Sequence, residues 1–303
     1  MRPWLHLARV SNLPTVWTNV TVAWLLASGH WNDARLFWLI LAGSLLYTGG
    51  MILNDAADLS FDRAHRPERP LPSGQVSVTS AWWVGVSMLL VGAGVAWMKG
   101  GAQPLCIAGL VLCILFYDLY HKSWGGSVIV MGACRTLLVC MTGSALLLEN
   151  AAGRSDTAMG AACHCGLDAL CQLPSLVLLY GGALGIYTVA LSVAARSGGE
   201  SRVRWLLWTP VLPFLWGASA GLKQQFFTPN LALLIVPPIF ALIIISALLR
   251  LRHGRIDAAV GLLLAGFVVV DALALCHTRP ALALGFVALS PFLRLWQRWV
   301  AAT

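Results

Sequence analysis

The sequence contains little charge for its length. Only 11% of its 303 residues are Asp, Glu, Lys or Arg, whereas soluble proteins average about 25%. Hydrophobic residues make up 58% of the chain, and there are 14 Trp, a residue enriched at membrane interfaces. These values exclude an ordinary soluble protein and predict an integral membrane protein. The net charge of +8 does not indicate a nucleic-acid partner, because cytoplasmic loops of membrane proteins are enriched in Lys and Arg.

Signs of processing, of a second domain and of a disulfide framework are also missing. The N-terminal stretch MRPWLHLARVSN has no continuous apolar region followed by a small-residue cleavage site, so we expect no cleaved signal peptide. No long linker or low-complexity segment interrupts the chain, which predicts a single transmembrane domain over 1–303. Among the eight cysteines, only Cys163, Cys165 and Cys171 cluster, around His164. A solvent-facing loop explains this cluster best, and a metal site or a disulfide stays open.

Apolar runs long enough to cross a membrane recur along the whole chain. A spanning helix needs about 20 such residues, and this length predicts ten candidate spans. The last one ends in LRLWQRW, so nine or ten helices cross the membrane, and the last alternatively lies on its surface. The predicted fold class is therefore all-α, a polytopic transmembrane helical bundle. The spans are 13–30, 35–55, 79–98, 102–119, 126–148, 173–195, 204–222, 230–249, 257–276 and 280–297.

The distribution of positive charge predicts the orientation of these spans. If the N-terminus is cytoplasmic, fourteen Lys and Arg residues lie in or next to cytoplasmic segments and five lie outside. Such a bias sets the orientation of most membrane proteins. We therefore expect a protein of the bacterial inner-membrane type, with a cytoplasmic N-terminus.

One stretch, NDAADLSFDRAHRPERPLPSG at 54–74, places acids and arginines directly after an apolar span. On a helix, Asn54, Asp58 and Asp62 are spaced i, i+4, i+8 and share one stripe. Oxygen ligands of this kind suit Mg²⁺, which proteins often hold with a few carboxylates and a substrate phosphate. Asp55 lies about 100° off the stripe and is an auxiliary candidate.

The arginines that follow are suited to binding phosphate. Arg63, Arg66 and Arg69 carry guanidinium groups that match phosphate oxygens in a bidentate way. The segment RPERPLPSG is rich in Pro and Gly, so the helix must end there, and the loop can fold back over the cavity and point its arginines at the metal-bound anion. The stretch thus predicts a Mg²⁺–diphosphate site facing the cytoplasm. The alternative is a cytoplasmic loop whose charges only set the orientation.

The same stretch resembles the first aspartate-rich motif of the UbiA superfamily of intramembrane prenyltransferases, N-D-x-x-D-x-x-x-D followed by R-P-L-x-S-G. ARVSNLPTVWTNV at 8–20 is similar to the first helix of that family. FYDLYHKSW at 116–124 is similar to its Tyr-x-x-x-(Lys/Arg)-(Lys/Arg) element. The positions that match are Asn54, Asp55, Asp58, Asp62, Arg66 and Arg69 in the first motif, and Tyr117, His121 and Lys122 in the second element.

The resemblance implies a helical bundle around a central cavity and a Mg²⁺-dependent transfer reaction. The substrates would be a prenyl diphosphate and an aromatic or other lipophilic acceptor, in a membrane lipid environment. The implied roles are metal binding and catalysis by Asn54, Asp58 and Asp62, diphosphate binding by Arg66, Arg69 and Tyr117, and both catalysis and diphosphate binding by Lys122.

The second aspartate-rich motif of the family is missing. The corresponding stretch YTVALSVAARSGGESR, 187–202, contains no aspartate, and only Glu200 is nearby. Asp118, at the end of the fourth span, is a candidate substitute ligand. The missing acids leave a second hypothesis open, a non-catalytic carrier of a lipophilic precursor that keeps the fold and one anion site.

An arginine within the fifth span is the last unusual feature. Arg135 must face the interior of the bundle or water, since a charge at that depth is costly. It would line the substrate cavity or pair with an aspartate such as Asp118. The run MGACR around it is similar to the divergent UbiA-like subgroup of ebo-type gene clusters.

Overall fold

The computed structural model of the protein describes residues 2–121, 124–147, 172–196, 202–216 and 230–299. Its regular secondary structure within these ranges is entirely helical, which confirms the predicted all-α class. The α-helices are α1 (Arg2–Leu7), α2 (Leu13–Leu26), α3 (Ala34–Ala57), α4 (Leu59–His65), α5 (Val78–Met98), α6 (Pro104–Tyr120), α7 (Ser127–Ser144), α8 (Ser175–Arg196), α9 (Leu231–Arg252), α10 (Ile256–Leu275) and α11 (Pro280–Trp299).

Most predicted spans coincide with a helix to within a few residues, because polar caps and turn residues mark their ends. Asp33, Ser77 and Asn230 accept hydrogen bonds from backbone N–H groups in the first turns of α3, α5 and α9. Among the described residues, six helices, α3, α5, α7, α8, α9 and α10, are long and apolar enough to cross a membrane. The total of nine or ten spans stays a prediction.

The predicted span 204–222 differs from the structure. Arg202–Trp208 forms a 3-10 helix, and a short helical segment follows at 211–216. Pro210 separates the two, since it has no N–H to donate to a continuous α-helix. The remainder of this span lies outside the described residues, as does the Cys163–Cys171 cluster.

Small residues allow the closest helix pairs to form. A Cβ atom at Gly49 of α3 would lie 2.9 Å from the carbonyl oxygen of Gly85 in α5. A Cβ atom at Gly132 of α7 would lie 2.7 Å from the carbonyl oxygen of Gly185 in α8. Backbones that approach this closely gain van der Waals contact, which is one of the forces that drive helix association in a membrane.

α2 is largely buried and packs against α3, α7, α8 and α10. α9 and α11 pack on α10, and α6 packs on α3 and α7. An interior space is left between α2, α3, α6, α7, α8 and α10. This arrangement provides the central cavity that the resemblance implied.

Candidate active site

A cavity of about 240 Å³ opens between these six helices. Much of its wall is apolar, with Leu46, Leu110, Ile114, Leu138, Leu264 and Phe267 among the residues that line it. Several polar lining residues gather just before α2 begins and near the C-terminal ends of α6 and α8: Arg9, Asn12, Tyr117, Asp118 and Ser192. One end of the cavity is therefore suited to a charged group, and the wall beyond it to a hydrocarbon chain.

The acidic stretch keeps the predicted helical register next to this polar end. The Asp58 N–H donates to the Asn54 carbonyl at 3.0 Å, and the Asp62 N–H donates to the Asp58 carbonyl at 2.9 Å. The i, i+4 spacing thus persists across Asp58, the single residue between α3 and α4. Asn54 and Asp62 are buried, and the Asn54 Nδ2 donates to Asp118 Oδ1 at 3.2 Å. The fold brings Asp118 of α6 beside the stripe.

The loop after α4 folds back over the acids, whereas the sequence predicted that it folds back over the cavity. Arg69 Nη1 lies 2.9 Å from Asp62 Oδ2 and 3.5 Å from Asp55 Oδ1. Buried Leu71 and Val76 hold the loop in place by packing with the apolar side of α3. The other two predicted arginines, Arg63 and Arg66, are exposed.

Arg9 supplies a second cation that the sequence reasoning missed. Its Nη2 lies 3.3 Å from Asp55 Oδ1, and the residue also lines the cavity. It was counted only as an orientation signal, because contact between Arg9 and Asp55 depends on how α2 and α3 pack. Asp55, placed off the stripe by its spacing, is the carboxylate that meets both Arg9 and Arg69.

The element at the end of α6 meets the same stripe. His121 Nε2 lies 3.2 Å from Asp58 Oδ2, and the Tyr117 ring stacks on the His121 ring with centroids 4.9 Å apart. Tyr117 lines the cavity. Lys122, the next residue of this element, lies outside the described residues, as does Glu200.

The side chains at this end fit a hard cation in their chemistry. They present carboxylate and amide oxygens, which Mg²⁺ prefers, and Asp118 Oδ2 is buried without a hydrogen-bond partner in the described structure. In the part of the chain that the structure describes, no three His, Cys, Asp or Glu side chains form a ready-made metal cage. Such a cage is not required, since Mg²⁺ is commonly held by one or two carboxylates together with substrate phosphates.

The corresponding end of α8 carries hydroxyl groups and an arginine. Thr188 and Ser192 line the cavity, and their hydroxyls donate to backbone carbonyls of α8 at 2.8 Å each. Arg196, in the last turn, donates to the Ser127 hydroxyl at 3.1 Å and lies within hydrogen-bonding reach of the Tyr117 hydroxyl. α8 itself contains no Asp or Glu.

Arg135 lines the cavity from α7, deeper in the bundle. Its Nη1 donates to Asn19 Oδ1 at 2.7 Å and its Nη2 to Thr15 Oγ1 at 3.1 Å, so its bonds go to α2 and not to Asp118. Asn19 in turn donates to the buried carboxylate of Asp271 at 2.9 Å. The sequence carried a signal for Asp271 that was not used, since a lone acid inside an apolar span is by itself a functional hypothesis.

Comparison with known proteins finds archaeal synthases and a plant prenyltransferase among the relatives. The digeranylgeranylglyceryl phosphate synthase of Metallosphaera sedula is 29% identical over 137 residues, 44% of this chain and 48% of that protein. The enzyme of the same name from Sulfolobus acidocaldarius is 32% identical over 124 residues, 41% of this chain and 44% of that protein. The 2-acylphloroglucinol 4-prenyltransferase of Humulus lupulus is 36% identical over 87 residues, 29% of this chain and 20% of that protein. The chain spans about half the length of the archaeal relatives it matches.

Solved structures share the fold. The apo structure of a UbiA homolog from Aeropyrum pernix K1 superposes with a TM-score of 0.61 at 16% identity, covering 86% of this chain and 96% of that one. A digeranylgeranylglyceryl phosphate synthase structure superposes with a TM-score of 0.56 at 16% identity, covering 95% and 98%. The UbiA prenyltransferase family itself matches residues 14–260, most of the chain. The protein therefore belongs to the UbiA prenyltransferase family, as its first aspartate-rich motif indicated.

Proposed function

We propose that this protein is a Mg²⁺-dependent intramembrane prenyltransferase, which moves a prenyl group from a prenyl diphosphate to an aromatic or other lipophilic acceptor. The observation that carries the proposal is the position of the acidic stripe and its arginines. They lie beside the polar end of an otherwise mostly apolar cavity, in a member of a prenyltransferase family. A charged diphosphate and an apolar chain require these two environments side by side.

The proposed metal ligands are Asn54, Asp58 and Asp62. Asp118 is a further candidate, because its free oxygen is buried next to Asn54 at the cavity wall. When bound, Mg²⁺ would stabilise the negative charge that develops on the leaving diphosphate.

The cationic side chains stabilise the same charge. As the bond between the prenyl carbon and the diphosphate oxygen breaks, its electron pair stays on the diphosphate, and guanidinium groups lower the energy of that anion. Arg9 and Arg69 are close enough to the acids to share a diphosphate with a bound metal. In this proposal Arg66, Lys122 and Tyr117 add further contacts to the diphosphate.

The apolar wall positions the other substrate atoms. Side chains such as Leu110, Leu138 and Phe267 hold the prenyl chain and exclude water from the allylic carbon. Exclusion of water favours transfer to the acceptor over hydrolysis.

The Lys and Arg distribution supports a cytoplasmic location for the polar end of the cavity. The N-terminal segment containing Arg9 and the loop containing Arg69 both lie at this end. In a bacterial inner membrane this orientation would give soluble prenyl diphosphates direct access to the site.

Diphosphate release tests the proposal. The purified protein in lipid nanodiscs, given Mg²⁺, prenyl diphosphates of 10 to 20 carbons and a panel of lipophilic phenols and glycerol phosphates, is expected to release inorganic diphosphate. EDTA and the Asp58→Ala variant should abolish release. Asp257→Asn is the matched control, because Asp257 is an exposed aspartate in the first turn of α10.

The carrier hypothesis predicts a different result. A carrier would bind a prenyl diphosphate, but neither wild type nor the control variant would turn it over with any acceptor. The comparisons give the carrier no support, since the relatives named above are synthases and transferases.

A further inference from the structure

A connected set of polar side chains lies inside the bundle, away from the acidic stripe. Arg135 donates to Asn19 and Thr15, and its guanidinium carbon lies 5.0 Å from the centre of the Phe267 ring. The Asn19 Nδ2 donates to both oxygens of Asp271, at 2.9 and 3.1 Å. All of these groups are on different helices or different turns, so tertiary packing assembles them.

The neighbours that hold Arg135 are all neutral. Its guanidinium keeps its positive charge, because arginine is not deprotonated in proteins. Asp271 carries the nearest compensating charge in the network, but Asn19 stands between the two, and the Tyr180 hydroxyl also donates to Asp271, at 2.5 Å. The carboxylate is thus satisfied by neutral donors and does not contact the guanidinium within the described residues.

Arg135 has capacity left for a ligand. A guanidinium has five N–H donors, of which two are used in bonds to Asn19 and Thr15 among the described residues. The side chain is only partly buried although it lies mid-span, because it lines the cavity. A positive charge with free donors that faces an enclosed space has a strong preference for an anion.

The depth of Arg135 in the bundle separates its guanidinium from the proposed diphosphate site. Arg135 lies eight residues beyond Ser127, the first residue of α7, and a rise of 1.5 Å per residue places it roughly 12 Å deeper than the start of that helix. The prenyl chain gains nothing from contact with a guanidinium, and a cation beside the allylic carbon would oppose the developing positive charge. The acceptor is the substrate left to occupy this position.

We propose that Arg135 forms a second polar subsite, which binds an anionic oxygen group, a carboxylate or a phosphate, on the acceptor. This inference rests on the proposed function and narrows the acceptor to amphiphiles with an acidic head. Asn19 and Thr15 hold the guanidinium in place, and Asp271 and Tyr180 support Asn19. An acceptor held in this way would present its reactive atom between Arg135 and the diphosphate.

Matched acceptor pairs test the subsite. One pair is a phenolic carboxylic acid and its methyl ester, and the other is a lipid glycerol phosphate and its dephosphorylated alcohol. Wild type is expected to favour the anionic member of one pair at least 10-fold in kcat/KM, and the pair that shows the preference identifies the head group. Arg135→Gln should raise KM for that acceptor at least 10-fold and leave KM for the prenyl diphosphate unchanged.

Two further variants separate recognition from folding. Arg135→Gln alone leaves Asp271 without its counter-charge, so the double variant Arg135→Gln/Asp271→Asn keeps the interior neutral and should lose the anion preference in the same way. Trp17→Phe is the control. Trp17 lies on α2, as Thr15 and Asn19 do, and the substitution removes its hydrogen bond from Nε1 to Ser44 Oγ, 2.9 Å, without changing a member of the network. Its acceptor preference should match wild type.

The inference fails if wild type prefers neither anionic acceptor, or if both Arg135 variants keep the preference. Failure of the proposed function would look different, as an absence of diphosphate release by wild type with every acceptor. In that case, the subsite is tested by binding alone. The probes are the phenolic carboxylic acid and the lipid glycerol phosphate, both radiolabelled, and their retention by the protein in nanodiscs is measured. A 10-fold weaker retention of either probe by the double variant supports the subsite, and equal retention of both overturns it.

Discussion

The junction of α3 and α4 and the C-terminal end of α8 lie at the same end of the cavity, yet they carry opposite chemistry. The first presents buried acids, with Asp62 held by Arg69. The second presents the hydroxyls of Thr188 and Ser192 and then Arg196. In the proposed reaction, a metal would contact the diphosphate from the first side and the Arg196 guanidinium would contact it from the second.

The junction of α3 and α4, called the acid-rich end below, has its charges paired within the fold. Arg69 comes from a loop that Leu71 anchors, and Arg9 comes from the segment before α2. Removing one partner of a buried ion pair costs about 3–5 kcal/mol, because the other charge stays behind uncompensated. The α8 end needs no such pairing for its hydroxyls, which bond to their own helix.

The largest expected effect comes from neutralising the acid-rich end. Asp62→Asn removes a proposed metal ligand and the partner of Arg69, so the rate of diphosphate release should fall by about 10²–10³-fold. Glu68→Gln, at an exposed acid of the loop that follows α4, is the control and should keep the wild-type rate. A near-normal rate of diphosphate release in Asp62→Asn would show that the acid-rich end takes no part in the reaction.

The stability of the same end should depend on its arginine. Arg69→Gln leaves Asp55 and Asp62 short of positive charge and should destabilise the protein by about 3–5 kcal/mol. A thermal unfolding scan in detergent should show a lower midpoint than for Arg63→Gln, where the arginine is exposed. Equal midpoints would mean that the ion pairs contribute nothing to the fold.

Adding an acid near the C-terminal end of α8 should give this segment an oxygen ligand for the metal, as the acid-rich end has. Ser192→Asp places a carboxylate at the cavity, one helical turn before Arg196. We expect the Mg²⁺ concentration that gives half-maximal diphosphate release to fall about 3–10-fold, since an added carboxylate is a further oxygen ligand. Ser192→Asn, with similar size and no charge, is the control. An unchanged Mg²⁺ requirement would show that this end lies too far from the metal.

The smallest effect is expected at the start of α3, away from both regions. Asp33 accepts from the Arg35 N–H at 2.8 Å and from the Arg35 side chain, and this hydrogen bonding holds the pKa of Asp33 below its usual value. Asp33→Ala should therefore cost about 1 kcal/mol. Because the pKa is lower in the folded state, this stabilisation is present above about pH 4 and is lost as the pH falls through the lowered pKa. The thermal unfolding midpoints of wild type and Asp33→Ala should converge below that pKa. A constant difference between them would contradict the role assigned to the Asp33 carboxylate.

The sequence predicted the helical segments well and the contacts between them poorly. The bounds of α3 and α5 follow from apolar length and from the caps Asp33 and Ser77, which are local features. The span 204–222 was less accurate, because Pro210 interrupts the helix where hydropathy is continuous. The acidic stripe was readable, since i, i+4 spacing is a property of one helix.

By itself, the sequence determined the all-helical membrane class, the helix ends and the first motif, because these depend on solvent preference and on neighbours within a few residues. Only the tertiary structure decided that Arg9 reaches Asp55, that Asp118 faces Asn54, and that Asn19 links Arg135 to Asp271. The partners of such pairs lie on different helices, up to 252 positions apart in the chain. Their contact depends on which faces of the helices pack together, and no local pattern of residues encodes that choice.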